Sequence, residues 1–238
     1  MSSTVDPAHP GREALQSLVA EVVAGGITPL GGIHAYDAGR ATRYRSSAVL
    51  ALFTPTDRRA AATNGVSDAV DLFLVQRSPL LRLHPGQIAL PGGGLEKGET
   101  EVEAALRETE EEIGLPARYI EVLAELDPVL VPISGFVVHP VIGWTDAPDE
   151  VSDITPGEVL HTLRVPVAHL LDPAHRATVT IAGNRSAGFE LATGWVWGFT
   201  GNLLDHLFTE LGWTRPWPRE RVHVMSMAEA RGSHLRDP

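Results

Sequence analysis

Glu108, Glu111 and Glu112 stand at positions i, i+3 and i+4 of a segment in which Val102, Ala105, Leu106 and Ile113 recur at helical spacing. On a helix that spacing sends the three carboxylates out from one face. Like charges so placed repel by about 1 kcal/mol per pair in water, and by more where they are partly buried. A divalent cation would relieve the repulsion. Carboxylate oxygens suit magnesium, which takes a few of them together with waters and phosphate oxygens. A charge run of this kind also fits a solvated acidic face. Two neighbours favour the metal. The glycine run Gly92-Gly93-Gly94 lets backbone approach a ligand with no Cβ in the way, and Arg107 can reach Glu103 or Glu111 across one turn and orient a carboxylate.

The elements that must hold these groups follow from the local pattern. Thr100 is the N-cap and Gly114 the C-cap of a helix over 101–113. Before it, Gln87 to Leu90 is extended and ends at Pro91 and the glycines. That order of strand, glycine loop and helix is the central unit. Upstream, Arg12 to Val23 has helical spacing and stops at Gly25-Gly26, a helix placed outside the catalytic core. Ser47–Phe53 and Val70–Gln76 read as buried strands, with a loop from Arg59 to Gly65 between them. Downstream, 119–126, 136–145 and 163–165 read as strands and 166–171 as a short helix. Residues 178–181 and 189–193 form a hairpin, and 197–211 is a second long helix. The tail from Trp213, rich in Pro and Arg, is either an ordered flap or loose. Strands and helices in this order predict an α/β sandwich in one continuous domain.

Bulk properties narrow the chemistry. Of 238 residues, 43% are hydrophobic and 21% charged, the mix of a folded globular chain. A formal net charge of −11 argues against nucleic acid as a partner, because that binding depends on basic side chains neutralising phosphates. A small anion can still bind through a local arginine cluster or a metal ion. There is no cysteine, hence no thiol nucleophile and no thiolate metal site. Neither a signal-peptide pattern nor an apolar run of membrane-spanning length is present, so no membrane association is expected and a cytoplasmic location is.

The stretch Gly86–Leu115, GQIALPGGGLEKGETEVEAALRETEEEIGL, resembles the Nudix box, whose pattern is G-x5-E-x7-R-E-U-x-E-E-x-G-U with U apolar. Gly93, Glu99, Arg107, Glu108, Glu111, Glu112, Gly114 and Leu115 are in register, and Thr109 replaces an apolar residue. Seven fixed Gly, Glu and Arg positions, each at roughly one in fifteen, recur by chance about once in 10⁸ starts. The resemblance implies a Nudix-type α/β/α sandwich with a mixed β-sheet, over 41–212, with 1–40 an N-terminal helical extension and 213–238 a C-terminal tail. It implies that Glu108, Glu111 and Glu112 bind Mg²⁺ or Mn²⁺, with the Gly93 carbonyl a further ligand. Glu99 and Arg107 become the pair that holds loop and helix together. The implied reaction is hydrolysis of a phosphoanhydride in a nucleotide-linked diphosphate, the metal neutralising the diphosphate and lowering the pKa of the attacking water.

Upstream, Phe73–Gly93 resembles a second motif, L-L-T-x-R-S-x3-R-x3-G-x3-F-P-G-G, which marks coenzyme A pyrophosphatases within that family. Leu74, Arg77, Ser78, Arg82, Gly86, Pro91, Gly92 and Gly93 match, while Phe73, Val75 and Leu90 depart. The implied substrate is coenzyme A or an acyl form, cut to 3′,5′-ADP and (acyl-)4′-phosphopantetheine. Arg77 and Arg82 suit its phosphates, since a guanidinium can clasp a phosphate bidentately, and Ser78, His84 and Gln87 can add hydrogen bonds. The alternative is that Arg77 pairs with a surface carboxylate and His84 fixes the loop. The segments VWGFTGNLL and PGEVLHTLRVPVAHLLDPAHR carry the resemblance to Leu211. Glu158 within the latter is the candidate to hold or deprotonate the attacking water; an exposed loop glutamate after a Pro-Gly turn is the bland reading. A Nudix pyrophosphatase on ADP-ribose or another nucleoside diphosphate derivative, and a non-catalytic nucleotide-sensing module, are the other two readings, with a homodimer left open.

Overall fold

The computed structural model describes residues 9–56, 65–152 and 157–235. In chain order the regular elements are α1 (Pro10–Val23), α2 (Ala38–Ala41), β1 (Arg45–Pro55), β2 (Val70–Arg77), β3 (Ile88–Ala89), β4 (Gly92–Gly94), α3 (Glu101–Ile113), β5 (Glu121–Glu125), β6 (Val129–Val131) and β7 (Phe136–Trp144). They continue as β8 (Val159–Pro166), α4 (Val167–Leu171), β9 (Arg176–Ile181), β10 (Asn184–Leu191), β11 (Gly194–Val196), α5 (Gly198–Glu210), β12 (Val222–Val224) and α6 (Met227–Ala230). The loop expected over 59–64 lies outside the described residues. Among the described residues no helix is long and apolar enough to cross a membrane.

Strand alternation sets the layers. In β1, Ala48, Leu50 and Leu52 face one side, where Phe73 and Val75 of β2 join Ala104, Ala105 and Ile113 of α3. Ala51 and Phe53 face the other side, where Leu72 and Leu74 meet Leu15 and Leu18 of α1, Leu170 of α4, and Leu204 and Leu207 of α5. Helices therefore cover both faces of the sheet, an α/β/α sandwich. The helix at the N-terminus shares this core through Leu15 and Leu18 rather than standing apart from it. The sheet is mixed, in the order β3-β2-β1-β7-β5, with β4 on β1, β6 on β7 and β8 on β2. β1 and β7 run parallel, from Arg45 opposite Phe136 to Phe53 opposite Trp144, and the other pairs in this sheet are antiparallel.

A second sheet, β11-β10-β9-β12, is larger than the expected hairpin. Its central turn is Ala182-Gly183, both at positive φ, so β10 starts at Asn184 and not near 189. Two successive positive-φ residues match the twist of a two-residue hairpin, but alanine there gives little sequence signal. The tail is an ordered flap over residues 213–235. β12 pairs parallel with β9, and Thr178 donates to this segment twice, from its N–H to Arg221 O at 2.8 Å and from its hydroxyl to Arg219 O at 2.7 Å. Arg176, fully buried, lies between the rings of Phe189 and Trp217 at 4.0 and 4.4 Å and reaches Asp205.

Candidate active site

α3 is fixed at both ends by its own sequence. Thr100 accepts from Glu103 N–H at 3.2 Å while the Glu103 carboxylate accepts from Thr100 N–H at 2.8 Å, a closed capping box. Gly114 ends the helix at φ 68°, a conformation glycine adopts without steric cost. The buried stripe is Ala104, Ala105, Thr109, Glu112 and Ile113, which seats the helix on β1 and β2. Thr109 fills its apolar position because its hydroxyl donates to Ala105 O at 2.7 Å.

The three glutamates do not share one environment. The Glu111 side chain is 60% exposed, Glu108 17% and Glu112 5%. Arg107 holds the first two. Its Nη1 donates to Glu108 at 2.9 Å and to Glu111 at 3.4 Å, its Nε and Nη2 clasp both oxygens of Glu99 at 2.8 and 3.1 Å, and Nη2 also donates to Gly94 O at 3.0 Å. The reach to Glu103 expected from spacing is not made, because Glu103 serves the cap. Glu99 in turn accepts from Glu96 N–H at 2.8 Å. Hydrogen bonding from Arg107 holds Glu99 below the usual carboxylate range, and Glu99 holds Arg107 charged.

Glu112 belongs to a second set. Its Oε2 accepts from Gly92 N–H at 3.0 Å, and its Oε1 accepts from Arg77 Nη1 at 3.3 Å. β4 is pressed against β1 here, with Gly92 opposite Val49 and Gly93 opposite Ala48. A Cβ on Gly92 would lie 2.3 Å from Ala48 O, and one on Gly93 would lie 2.3 Å from the Glu108 carboxyl carbon. The glycines thus bring two carboxylates against bare backbone. Burial pushes Glu112 up to about 7; the Gly92 N–H and Arg77 oppose that rise, while Glu108 and Glu158 add to it. Glu108 is likewise raised, first by burial and against the pull of Arg107, with Glu111 and Glu158 adding to the rise. Exposed Glu158 therefore stands within electrostatic reach of both.

The loop from Arg77 to Gln87 closes on itself, with Arg77 N–H donating to Gln87 O at 2.9 Å. Arg77 does pair with a carboxylate, but it is Glu112 of the acidic helix rather than a surface one. Ser78 is buried: its N–H donates to Glu158 O at 2.7 Å, its carbonyl accepts from Leu81 and Gly86, and its hydroxyl accepts from Leu80 N–H. His84 lies 3.0 Å from Gln87 Oε1, and Gln87 Nε2 donates to Ala230 O at 3.3 Å. Arg82, His84 and Gln87 line a separate cavity rather than joining the glutamates. Sequence reasoning did not single out the Gly92 amide, the Gly94 carbonyl or the tail contact at Ala230. The first two are backbone groups in a motif read for its side chains, and the third joins segments far apart in the chain.

The donor set fits a hard divalent cation. Its carboxylate oxygens are the ligand type such an ion takes, and a cation beside Glu112 would offset the burial that opposes its charge. Among the described residues no three acidic or imidazole groups yet converge to hold one, since Arg107 gathers Glu108 and Glu111 while Glu112 turns to Gly92 and Arg77.

A family model described as NUDIX domain matches residues 56–178, from the end of β1 into β9. The chain is 36% identical over 154 residues to the "Uncharacterized Nudix hydrolase NudL" of Klebsiella pneumoniae subsp. pneumoniae, covering 59% of this chain and 75% of that protein. It is 34% identical over 154 residues to the protein of the same description from Salmonella paratyphi B, with the same coverage. Among solved structures it is similar to a Nudix hydrolase from M. smegmatis, RenU, at TM-score 0.40 and 25% identity, covering 52% of this chain and 71% of that one.

Proposed function

The chain belongs to the Nudix family, and from that premise we propose that it is a metal-dependent diphosphohydrolase that cuts coenzyme A or an acyl-coenzyme A into 3′,5′-ADP and (acyl-)4′-phosphopantetheine. The observation that carries this reading is the Arg77–Glu112 contact of 3.3 Å. It joins the arginine loop that resembles the coenzyme A motif to the acidic helix at the end of β2.

Glu108, Glu111 and Glu112, with the Gly93 carbonyl, are the groups that would hold Mg²⁺ or Mn²⁺. An ion held there would neutralise the diphosphate and lower the pKa of the attacking water. The remaining work falls to the chain itself. Arg107, fixed to Glu99 and Gly94 O, keeps the glycine strand and the helix in one frame. Arg77 and the Gly92 amide favour the ionised form of Glu112 against its burial. Glu158, exposed and within electrostatic reach of Glu108 and Glu112, would hold or deprotonate the attacking water. The substrate is a small nucleotide derivative, and a cytoplasmic location belongs to the same proposal.

The test is an activity panel with Mg²⁺ and with Mn²⁺ on coenzyme A, dephospho-coenzyme A, ADP-ribose and NADH, read by product chromatography. Release of 3′,5′-ADP from coenzyme A at the highest kcat/KM of the panel is the expected result. Turnover of ADP-ribose or NADH without coenzyme A would move the enzyme to another substrate, and no turnover of any of them would turn it into a binding module.

A further inference from the structure

Arg45, Arg82 and Arg231 come from the start of β1, the loop after β2 and the residue after α6, yet they line one cavity of about 320 Å³. Among the described residues no carboxylate lines it. In a chain of formal net charge −11 this is a local reversal of sign. Among the described residues none of the three guanidiniums is in an ion pair, whereas Arg12, Arg77, Arg107, Arg164, Arg176 and Arg215 all are.

The three arginines are exposed, and backbone contacts bring the segments that carry them to one cavity. The Arg45 guanidinium lies over the Phe136 ring at 4.5 Å. Gly86 and Gly232 meet backbone to backbone: a Cβ on Gly86 would lie 2.5 Å from Gly232 Cα, and one on Gly232 2.7 Å from Gly86 Cα. Both adopt positive φ, at 70° and 61°. Together with the Gln87 to Ala230 hydrogen bond, this interlock sets Arg82 and Arg231 in one wall. With three guanidiniums on one cavity and no carboxylate among its lining residues, the charge there favours an anion. Guanidiniums take phosphate oxygens in bidentate pairs. At the rim, exposed Leu83 and Ile133 offer apolar contact to whatever carries the phosphate.

The cavity is close to the carboxylates but separate from them. Arg77 faces Glu112, while the charge of Arg77 is also felt at His84 in the cavity wall. We propose that Arg45, Arg82 and Arg231 bind a phosphomonoester of the substrate, distinct from the diphosphate that is cut, and that residues 226–235 form the outer wall of this subsite. Arg45 and Arg231 lie outside the segment that matches the family model. The proposal rests on reading the carboxylate cluster as a diphosphate-cleaving site.

Calorimetry on the metal-free chain tests the subsite without turnover, with adenosine 3′,5′-bisphosphate and adenosine 5′-monophosphate as probes. The parent is expected to bind the bisphosphate at least about tenfold more tightly, the scale of one charge-assisted contact. Arg45→Gln and Arg231→Gln should each bring that ratio to about threefold or less, with unchanged circular dichroism. In steady state, the same variants should bring KM for coenzyme A toward KM for dephospho-coenzyme A while kcat for coenzyme A is kept. A parent that does not distinguish the two nucleotides overturns the subsite, as do variants that weaken both probes equally. The selectivity of the parent needs no variant to fold. If it holds while neither coenzyme is cleaved, the subsite stands and the proposed reaction falls; if both coenzymes are cleaved with no selectivity, the reaction stands and the subsite falls.

Discussion

The Gly92 N–H donates to Glu112 across 3.0 Å, so the first residue of the glycine strand and the last glutamate of the acidic helix share one hydrogen bond. With Arg77 on its other oxygen, Glu112 is partnered from β4 and from β2 and shut away from water.

That burial has a measurable pH signature. The Glu112 carboxyl is pushed from 4.5 to about 7 on folding. A raised folded pKa means that between these values the folded chain keeps a proton the unfolded chain has lost. Stability therefore falls as pH rises through 4.5 to 7, and the cost is complete above that window. At about 1.4 kcal/mol for each tenfold change in proton affinity, the cost is roughly 3 kcal/mol. In chelator, Glu112→Gln should melt at the parent's temperature below pH 4.5 and at a higher temperature than the parent above pH 7. A melting difference that does not change with pH would count against this account.

Turnover should respond to all three carboxylates. Glu108→Gln, Glu111→Gln and Glu112→Gln are each expected to lower kcat by about a hundredfold or more at saturating Mg²⁺, the scale of losing several kcal/mol of charge stabilisation. Circular dichroism should match the parent. Rates near the parent's in all three would remove these carboxylates from the reaction.

Arg77 and Arg82 should separate in kinetics although one motif contains both. Arg77 opposes the effect of burial on Glu112, so Arg77→Ala should raise that carboxyl further. The acid limb of the rate–pH profile then moves to higher pH and kcat falls at neutral pH, with KM little changed. Arg82→Ala should raise KM and leave the limb in place. Rate–pH profiles of both variants decide it, and identical effects would dissolve the distinction.

The glycine run should be unequal in stability. Gly92 has φ 153°, and a Cβ there would meet Ala48 O at 2.3 Å and Val49 Cα at 2.7 Å, whereas a Cβ on Gly94 meets nothing within 4 Å. Gly92→Ala is expected to cost about 3 kcal/mol or more, and Gly94→Ala to stay within about 1 kcal/mol of the parent. Urea melts of the two variants measure this directly.

The helix that carries the carboxylates was legible because its signals are local. Thr100, Glu103 and Gly114 mark its ends within a few residues of where they act. The sandwich was legible from the order of strands and helices along the chain. Spacing placed Glu111 and Glu112 on one face, but the division between water and protein runs between them, and only packing on β1 and β2 decides where. β12 could not be read from its own three residues, since its partner β9 lies far back in the chain. Arg45 and Arg231 carry no motif and become neighbours only when Gly86 meets Gly232.

Arg107 is a resident counter-ion. A divalent cation arriving at Glu108 and Glu111 would not meet bare anions, because a guanidinium already neutralises part of their charge. Loading would then be an exchange of one cation's share for another's, its free energy the difference between two attractions rather than the whole of one. The same guanidinium, anchored by Glu99, would stand ready to receive the carboxylates again on release.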